Sequence, residues 1–177
     1  TVPGTVGGAL HGNAGAFGGD TAGALVDALL ADLNGERWTA RPAELGFAYR
    51  TSALQGTPIV CLSARFRGAA GDRRTAVARI KEIANERIRT QPLAQPNTGS
   101  IFRNPPGDHA GRLIEAAGLK GARHGGAVVS EKHANFIVNA ADATAADVWE
   151  LMRRCVAEVR ERFGVTLVPE VERVGEW

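Results

Sequence analysis

The hydrophobic residues of this 177-residue chain change their period near Gly71, and this change limits the folds open to it. Before that point, residues 59–67 (IVCLSARFR) alternate apolar and polar side chains, as a half-buried strand does. After it, apolar residues recur at helical spacing, in a helix that must end before Pro92. The helical face comprises Val77, Ile80, Ala84 and Ile88. We therefore predict an α+β fold with two lobes, residues 1–91 and residues 92–177.

Shorter signals predict the remaining elements of both lobes. The Asn34-Gly35 pair lies between two strand-like segments and indicates a hairpin in an antiparallel sheet. Residues 111–117 have the pattern of a short helix, with Gly118 as its C-cap. Residues 125–139 are predicted to form strand, turn and strand.

One long helix near the C-terminus has the clearest boundaries. Thr144 and Asp147 have the spacing of a capping box, and Gly164 is placed to end the helix. Its apolar stripe comprises Val148, Leu151, Met152, Cys155, Val159 and Phe163. We expect this helix to lie in a core, and the tail after it to form a short strand that leads to Pro169 and Glu170.

The composition excludes several classes of function. Net charge is +2 and 23% of residues are charged, without a basic stripe or a run of like charge, so neither nucleic acid nor a membrane surface is an expected partner. Cys61 and Cys155 lie in apolar contexts, which favours reduced core thiols and a cytoplasmic protein. The four histidines lack the spacing of metal ligands, so we expect no metal site.

The packing of a hydrophobic core does not explain the composition of two segments, one rich in glycine and one with polar residues in a turn. The first twenty residues contain seven glycines, which suits either a backbone cradle for phosphate or a packing turn, and neither common nucleotide fingerprint is present. The second segment, residues 98–121 (TGSIFRNPPGDHAGRLIEAAGLKG), places Ser100 and Asn104 in a turn stiffened by prolines. Those two side chains could simply satisfy the backbone of the loop.

Five motifs occur in one order along nearly the whole chain: VPGTVGGALHGNAGAFGGD, YRTS, GSIFRNPPGDHAGRLIEAAGLKG, GGAVVSEKHANFIVN and LVPEV. Together they resemble the UDP-N-acetylenolpyruvoylglucosamine reductase (MurB) family, FAD- and NADPH-dependent enzymes that complete UDP-N-acetylmuramic acid for bacterial peptidoglycan. The resemblance implies that residues 1–91 are the later part of a two-lobed FAD-binding domain and that residues 92–177 are an α+β substrate-binding domain. The chain resembles the shorter, second subtype of the family.

The resemblance also implies a further lobe. Members of the family carry an N-terminal lobe with another flavin-phosphate loop, to which no segment of this sequence corresponds. We therefore expect the chain to be a truncated protein or one half of a split one.

The resemblance assigns catalytic roles to three residues. Ser100 matches the proton donor to the substrate carbon, and Arg50 matches the arginine that binds the substrate carboxylate. Glu170 matches a glutamate near the charge that develops during reduction, and we expect it to be protonated, hydrogen-bonded or paired with Arg50. Without the resemblance, Arg50 is a surface arginine at a strand end and Glu170 a solvated glutamate after a proline.

The resemblance further implies binding residues and partners. Tyr49 and Asn104 match contacts to the UDP-sugar substrate, whereas Glu172 and Ala116 stand where some members have an arginine and a glutamine. FAD would be bound tightly in the intact enzyme but weakly or not at all by these residues alone, NADPH would be the co-substrate, and the protein would be a monomer. The residues expected at the flavin are Pro3, Gly4, Thr5, Gly7, Gly8, Asn13 and Gly15.

Two other functions remain open from the sequence. Another flavin oxidoreductase of the same superfamily would keep the glycine-rich loop, but would not be expected to share Arg50, Ser100 and Glu170 in these contexts. A non-catalytic fragment could bind a UDP-sugar without flavin. Flavin content distinguishes this fragment from the enzymes.

Overall fold

The computed structural model describes residues 4–175, so the predicted flavin contact at Pro3 lies outside the described residues. The fold is α+β, with antiparallel sheets and helices, as predicted. The chain forms two compact units, Thr1–Ala84 and Asn85–Trp177. The units divide within a helix, whereas the sequence indicated a boundary after residue 91.

The first unit is built on a three-stranded antiparallel sheet of order β4-β3-β5. Its elements are α1 (Val6–His11), β1 (Gly15–Ala16), β2 (Gly19–Asp20), α2 (Thr21–Ala24), β3 (Leu25–Ala31), β4 (Arg37–Ala40), a 3₁₀ turn (Pro42–Glu44) and β5 (Val60–Phe66). The predicted hairpin is confirmed, because β3 and β4 pair on either side of Asn34-Gly35. Gly35 has φ +85°, the backbone conformation that such a turn favours in glycine.

The apolar alternation of β5 does not face the core of this unit. Val60, Leu62 and Phe66 are 54%, 46% and 45% exposed, so the predicted burial of that face is wrong. The pairing explains the difference: Leu29 pairs with Ser63 and Leu30 with Cys61, so Leu62 is an extra residue in the ladder. Because of this bulge, Cys61 and Ala64 both pack on the core. The core comprises Leu10, Leu25, Ala28, Leu30, Ala40, Leu45 and Leu54.

Helix α3 (Arg73–Thr90) follows Gly71 and ends before Pro92, as the period predicted. Asp72 caps it, accepting hydrogen bonds from the backbone N–H and the hydroxyl of Thr75 at 2.8 and 3.0 Å. The apolar face predicted for this helix is not buried, since none of its residues is.

The second unit has a four-stranded antiparallel sheet of order β6-β9-β8-β7 that packs with two helices. Its elements are β6 (Asn97–Ser100), α4 (Ala110–Ala116), β7 (Arg123–His124), β8 (Ala127–Val129), β9 (Phe136–Asn139) and α5 (Ala145–Phe163). The capping box of α5 and the left-handed Gly164 after it are confirmed. Phe163 is 39% exposed and ends the apolar stripe at the surface. None of the helices among residues 4–175 combines the length and the apolar character that a membrane-spanning helix needs.

Candidate active site

The turn that carries Ser100 is satisfied by its neighbours. Asn97 Oδ1 accepts the backbone N–H of Gly99 at 2.9 Å, and the Thr98 hydroxyl donates to the Gly99 carbonyl at 3.0 Å. The Ser100 side chain is exposed, and its hydroxyl has no hydrogen-bond partner within residues 4–175. The Ser100 hydroxyl therefore makes no hydrogen bond to the backbone of its own loop, a role that the local sequence allowed.

The C-terminal tail lies beside Ser100. The carbonyl of Ile101 accepts the backbone N–H of Glu170 at 2.9 Å, and the N–H of Arg103 donates to the Val168 carbonyl at 2.9 Å. A single bridge between Phe102 and Pro169 replaces the short strand predicted for the tail. These contacts bring Ser100 and Glu170, which is half-buried, next to each other in the second unit.

A buried asparagine that sequence reasoning missed holds the other side of this segment. Asn135 is 4% exposed. Its Oδ1 accepts the N–H of Phe102 at 3.0 Å, its Nδ2 donates to the Phe102 carbonyl at 2.8 Å, and its own carbonyl accepts the Ile101 N–H at 3.0 Å. The side chain thus replaces a missing strand partner and fixes the backbone that follows Ser100. The only signal was its place in the motif KHANFIVN.

Asn104 has a structural role at the start of α4. Its Oδ1 accepts the backbone N–H of Ala110 at 3.0 Å, whereas His109, the N-cap residue, makes no capping bond with its side chain. The Asn104 carbonyl oxygen therefore satisfies a backbone N–H of its own loop, as the local sequence allowed.

A cavity of about 330 Å³ lies next to Ser100 and Asn104. Two charged groups in its wall already have partners: Arg112 pairs with Asp108 and lowers the pKa of that carboxyl to about 2, and Lys132 Nζ donates to the Ile88 carbonyl. The lining residues are Ser100, Asn104, His109, Gly111, Arg112, Glu115, Lys132, His133, Ala134 and Asn135.

Tyr49 and Arg50 form the tip of a tight turn in the first unit. Ala48 and Thr51 exchange backbone hydrogen bonds of 3.2 and 3.3 Å across it, and Arg50 has φ +57°. The Arg50 guanidinium carbon lies 5.1 Å from the centre of the Tyr49 ring. The turn therefore presents an aromatic ring and a guanidinium side by side, while Ser100 and Glu170 belong to the second unit.

The glycine-rich segment is more regular than a loop. It contains helix α1, and Thr5 caps that helix by accepting the N–H of Gly8 at 3.1 Å. Asn13 is 4% exposed, and its amide donates to Asp20 Oδ2 and to the Ala48 carbonyl, both at 3.1 Å. Asn13 thereby ties the segment to the residue that precedes the Tyr49-Arg50 turn.

The glycines of this segment differ in their surroundings. A Cβ on Gly15 would lie 2.8 Å from the Gly19 carbonyl oxygen, so Gly15 allows two backbones to pack closely. A Cβ on Gly4 would meet no atom of residues 4–175 within 4 Å. Close packing therefore explains why a glycine occupies position 15. It does not explain the glycine at position 4.

Neither cysteine is reactive by its surroundings, and the described residues hold no metal cluster. Both thiols are free, and burial raises the pKa of Cys155 to about 12. Among residues 4–175 no group of three or more His, Cys, Asp or Glu side chains could hold a metal ion.

Comparison with known proteins gives one family. The model for "UDP-N-acetylenolpyruvoylglucosamine reductase, C-terminal domain" matches residues 91–174. UDP-N-acetylenolpyruvoylglucosamine reductase 2 of Symbiobacterium thermophilum is 50% identical over 97% of this chain and 56% of its own length. A UDP-N-acetylenolpyruvoylglucosamine reductase sequence of Bacillus licheniformis is 45% identical over 99% of this chain and 96% of its own length.

A solved structure agrees with these relatives. The crystal structure of UDP-N-acetylenolpyruvylglucosamine reductase (MurB) from Thermus caldophilus matches with a TM-score of 0.76 and 38% identity, over 94% of this chain and 59% of that one. The chain spans 56% to 59% of the length of five curated relatives.

Proposed function

Since the chain belongs to the UDP-N-acetylenolpyruvoylglucosamine reductase family, we propose that it works in the reduction of UDP-N-acetylglucosamine enolpyruvate to UDP-N-acetylmuramate. This step makes a precursor of peptidoglycan in the bacterial cytoplasm. In this proposal residues 1–91 belong to the FAD-binding domain and residues 92–177 form the substrate-binding domain.

FAD, when bound, would take hydride from NADPH and pass it to the methylene carbon of the enolpyruvyl group. The space beside Gly4 in the described residues leaves room for such a group to approach the backbone. We propose that the backbone of residues 4–8 contributes to the flavin site, with Thr5 shaping it. Asn13 and Gly15 would act through the conformation they fix, because the Asn13 amide already binds the protein.

The free hydroxyl of Ser100 is the observation that carries the proposal. Hydride addition leaves negative charge on the carbon next to the substrate carboxylate, and that carbon must receive a proton. Serine is a weak acid, so its position must compensate, and the backbone around Ser100 is fixed by Asn97, Thr98 and Asn135. In the proposal, the Ser100 hydroxyl gives up this proton.

Two charged residues would interact with the substrate carboxylate and with the negative charge that develops on the carbon next to it. Arg50 suits the carboxylate, since a guanidinium can donate two parallel hydrogen bonds to its oxygens. Glu170 is held beside Ser100 by its backbone bond to Ile101 and would act near the protonated carbon. Tyr49 and Asn104 would contact the nucleotide part of the substrate, while the Asn104 carbonyl oxygen keeps α4 in place.

Turnover by the intact protein tests the proposal. Sustained consumption of NADPH, beyond the one equivalent that reduces the flavin, should require the enolpyruvyl substrate, and mass spectrometry should show a product that has gained one hydride and one proton. NADPH consumption with another acceptor in place of this substrate would favour a different flavin oxidoreductase. A colourless protein that binds the UDP-sugar without turnover would favour a non-catalytic binding fragment.

A further inference from the structure

The pairing of β6 with β9 shifts its register just before Ser100. Asn97 pairs with Val138, and Ser100 pairs with Phe136, so three steps along β6 match two steps along β9. The extra residue in β6 forms a β-bulge. We propose that Thr98, within this bulge, is a positioning residue whose hydroxyl keeps Ser100 turned towards the substrate. The proposal rests on the function proposed above.

The extra residue decides which face of the sheet Ser100 occupies. Side chains alternate between the two faces along a strand, and paired residues share a face. Ile137 belongs to the core that the sheet forms with α4 and α5, so its neighbour Phe136 faces away from these helices. Ser100 faces the same way as its partner Phe136. If the pairing continued from Asn97 without the bulge, Ser100 would lie on the helix side.

The Thr98 hydroxyl bonds to both strands at the bulge. It accepts the backbone N–H of Ile137 in β9 at 3.3 Å and donates to the Gly99 carbonyl in β6 at 3.0 Å. Ile137 is 1% exposed, so this contact lies against the core of the unit. The hydroxyl therefore ties the bulged part of β6 to its partner strand, which a side chain without a polar atom cannot do.

The residues on either side of Ser100 are held as well. Gly99 has φ +68°, a conformation that glycine adopts readily, and its N–H donates to Asn97 Oδ1 at 2.9 Å. After Ser100, the Ile101 N–H donates to the Asn135 carbonyl at 3.0 Å. With both neighbours fixed, the Ser100 hydroxyl moves mainly by rotation about its own Cα–Cβ bond.

The proposed role of Ser100 makes its direction important. A serine is a weak acid, so the transfer of its proton depends on the distance to the substrate carbon, and a misplacement of about 1 Å can slow a reaction roughly 100-fold. Without the Thr98 hydroxyl, the bulge loses one of its ties to β9, and Ser100 spends less time in the productive direction. The proton-dependent step should therefore slow, whereas hydride transfer from NADPH to the flavin should not.

Two variants of the intact protein separate the hydroxyl from the shape of the side chain. Thr98→Val keeps the shape but has no hydroxyl, and reoxidation of the flavin by the enolpyruvyl substrate should slow roughly tenfold in stopped flow. Thr98→Ser keeps the hydroxyl, so its reoxidation rate should stay within about threefold of the parent rate. Bleaching of the flavin by NADPH should keep the parent rate in both. Thr39→Val, at an exposed position of strand β4, is the matched control.

A double variant shows whether Thr98 acts through Ser100. If Thr98 only aims the Ser100 hydroxyl, its loss has no further effect once that hydroxyl is absent. Adding Thr98→Val to Ser100→Ala should therefore change the reoxidation rate by less than about twofold. A general loosening of the unit would instead slow both backgrounds by the same factor.

The outcomes separate this proposal from the proposed function. Absence of turnover in the parent protein overturns the function and the role of Thr98 with it. If the parent turns over, a parent-like reoxidation rate in folded Thr98→Val overturns the role of Thr98 alone. Equal losses in the Val and Ser variants do the same, as does an undiminished effect in the Ser100→Ala background. If Thr98→Val does not fold, Thr98→Ala removes the same hydroxyl and replaces it in each comparison.

Discussion

Arg50 occupies a backbone conformation that side chains rarely adopt. Its φ of +57° is typical of glycine, and holding another residue there costs on the order of 1 kcal/mol. The turn keeps it there through the paired Ala48 and Thr51 and through Gln55, whose amide donates to the Arg50 carbonyl at 3.1 Å. This backbone strain supports the proposal that the Arg50 side chain binds a ligand.

Replacing Arg50 with Lys tests that interpretation. Lysine keeps the charge and has the same backbone preferences, but it cannot form two parallel hydrogen bonds with a carboxylate. The KM for the enolpyruvyl substrate should therefore rise roughly tenfold or more, with no change in flavin reduction by NADPH. Steady-state kinetics and stopped flow measure the two quantities, with Arg67→Lys as the matched surface control. A parent-like KM in Arg50→Lys would remove Arg50 from the site.

At the scale of elements, Asn135 stabilises the segment between Ser100 and Asn104. Its side chain binds both backbone groups of Phe102, which is 1% exposed. Buried backbone groups lose much free energy when they have no partner. The position of Ser100 therefore depends on an asparagine that is 33 residues distant from Phe102 along the chain.

Asn135→Ala should lower the free energy of unfolding by about 3 kcal/mol, because it leaves the N–H and the carbonyl of Phe102 without partners. Urea denaturation of the intact protein measures this loss. Asn139→Ala is the matched control: Asn139 is exposed, and its side chain accepts one hydrogen bond, from Ala143, so its loss should be smaller. Equal losses for the two variants would show that Asn135 does not hold the segment.

The elements that local sequence determines were predictable, and those set by distant pairing were not. The β3-β4 hairpin and both ends of α5 follow from a turn pair and caps within a few residues. The outward apolar face of β5 depends on a bulge created by pairing with β3, which no period within β5 reveals. Ser100 and Glu170 were identified by resemblance, while their proximity depends on backbone bonds between Ile101–Arg103 and the tail.

At the scale of the whole molecule, the proposed reaction has two parts that need different groups. Hydride transfer from NADPH to the flavin needs no proton at the substrate carbon. Transfer from the flavin to the substrate needs a proton there, and Ser100 is the proposed source. The two proposed half-reactions can be observed separately, because only the second consumes the enolpyruvyl substrate.

Stopped-flow kinetics of Ser100→Ala in the intact protein tests this account most directly. NADPH should bleach the flavin at nearly the parent rate, while reoxidation by the enolpyruvyl substrate should slow by roughly 100-fold or more, as expected for a lost general acid. Ser100→Cys should recover part of the loss, because a thiol can donate from nearly the same place. Ser63→Ala, at an exposed serine of the first unit, should leave both rates unchanged. Equal slowing of both half-reactions in Ser100→Ala, or a normal reoxidation rate, would contradict the account.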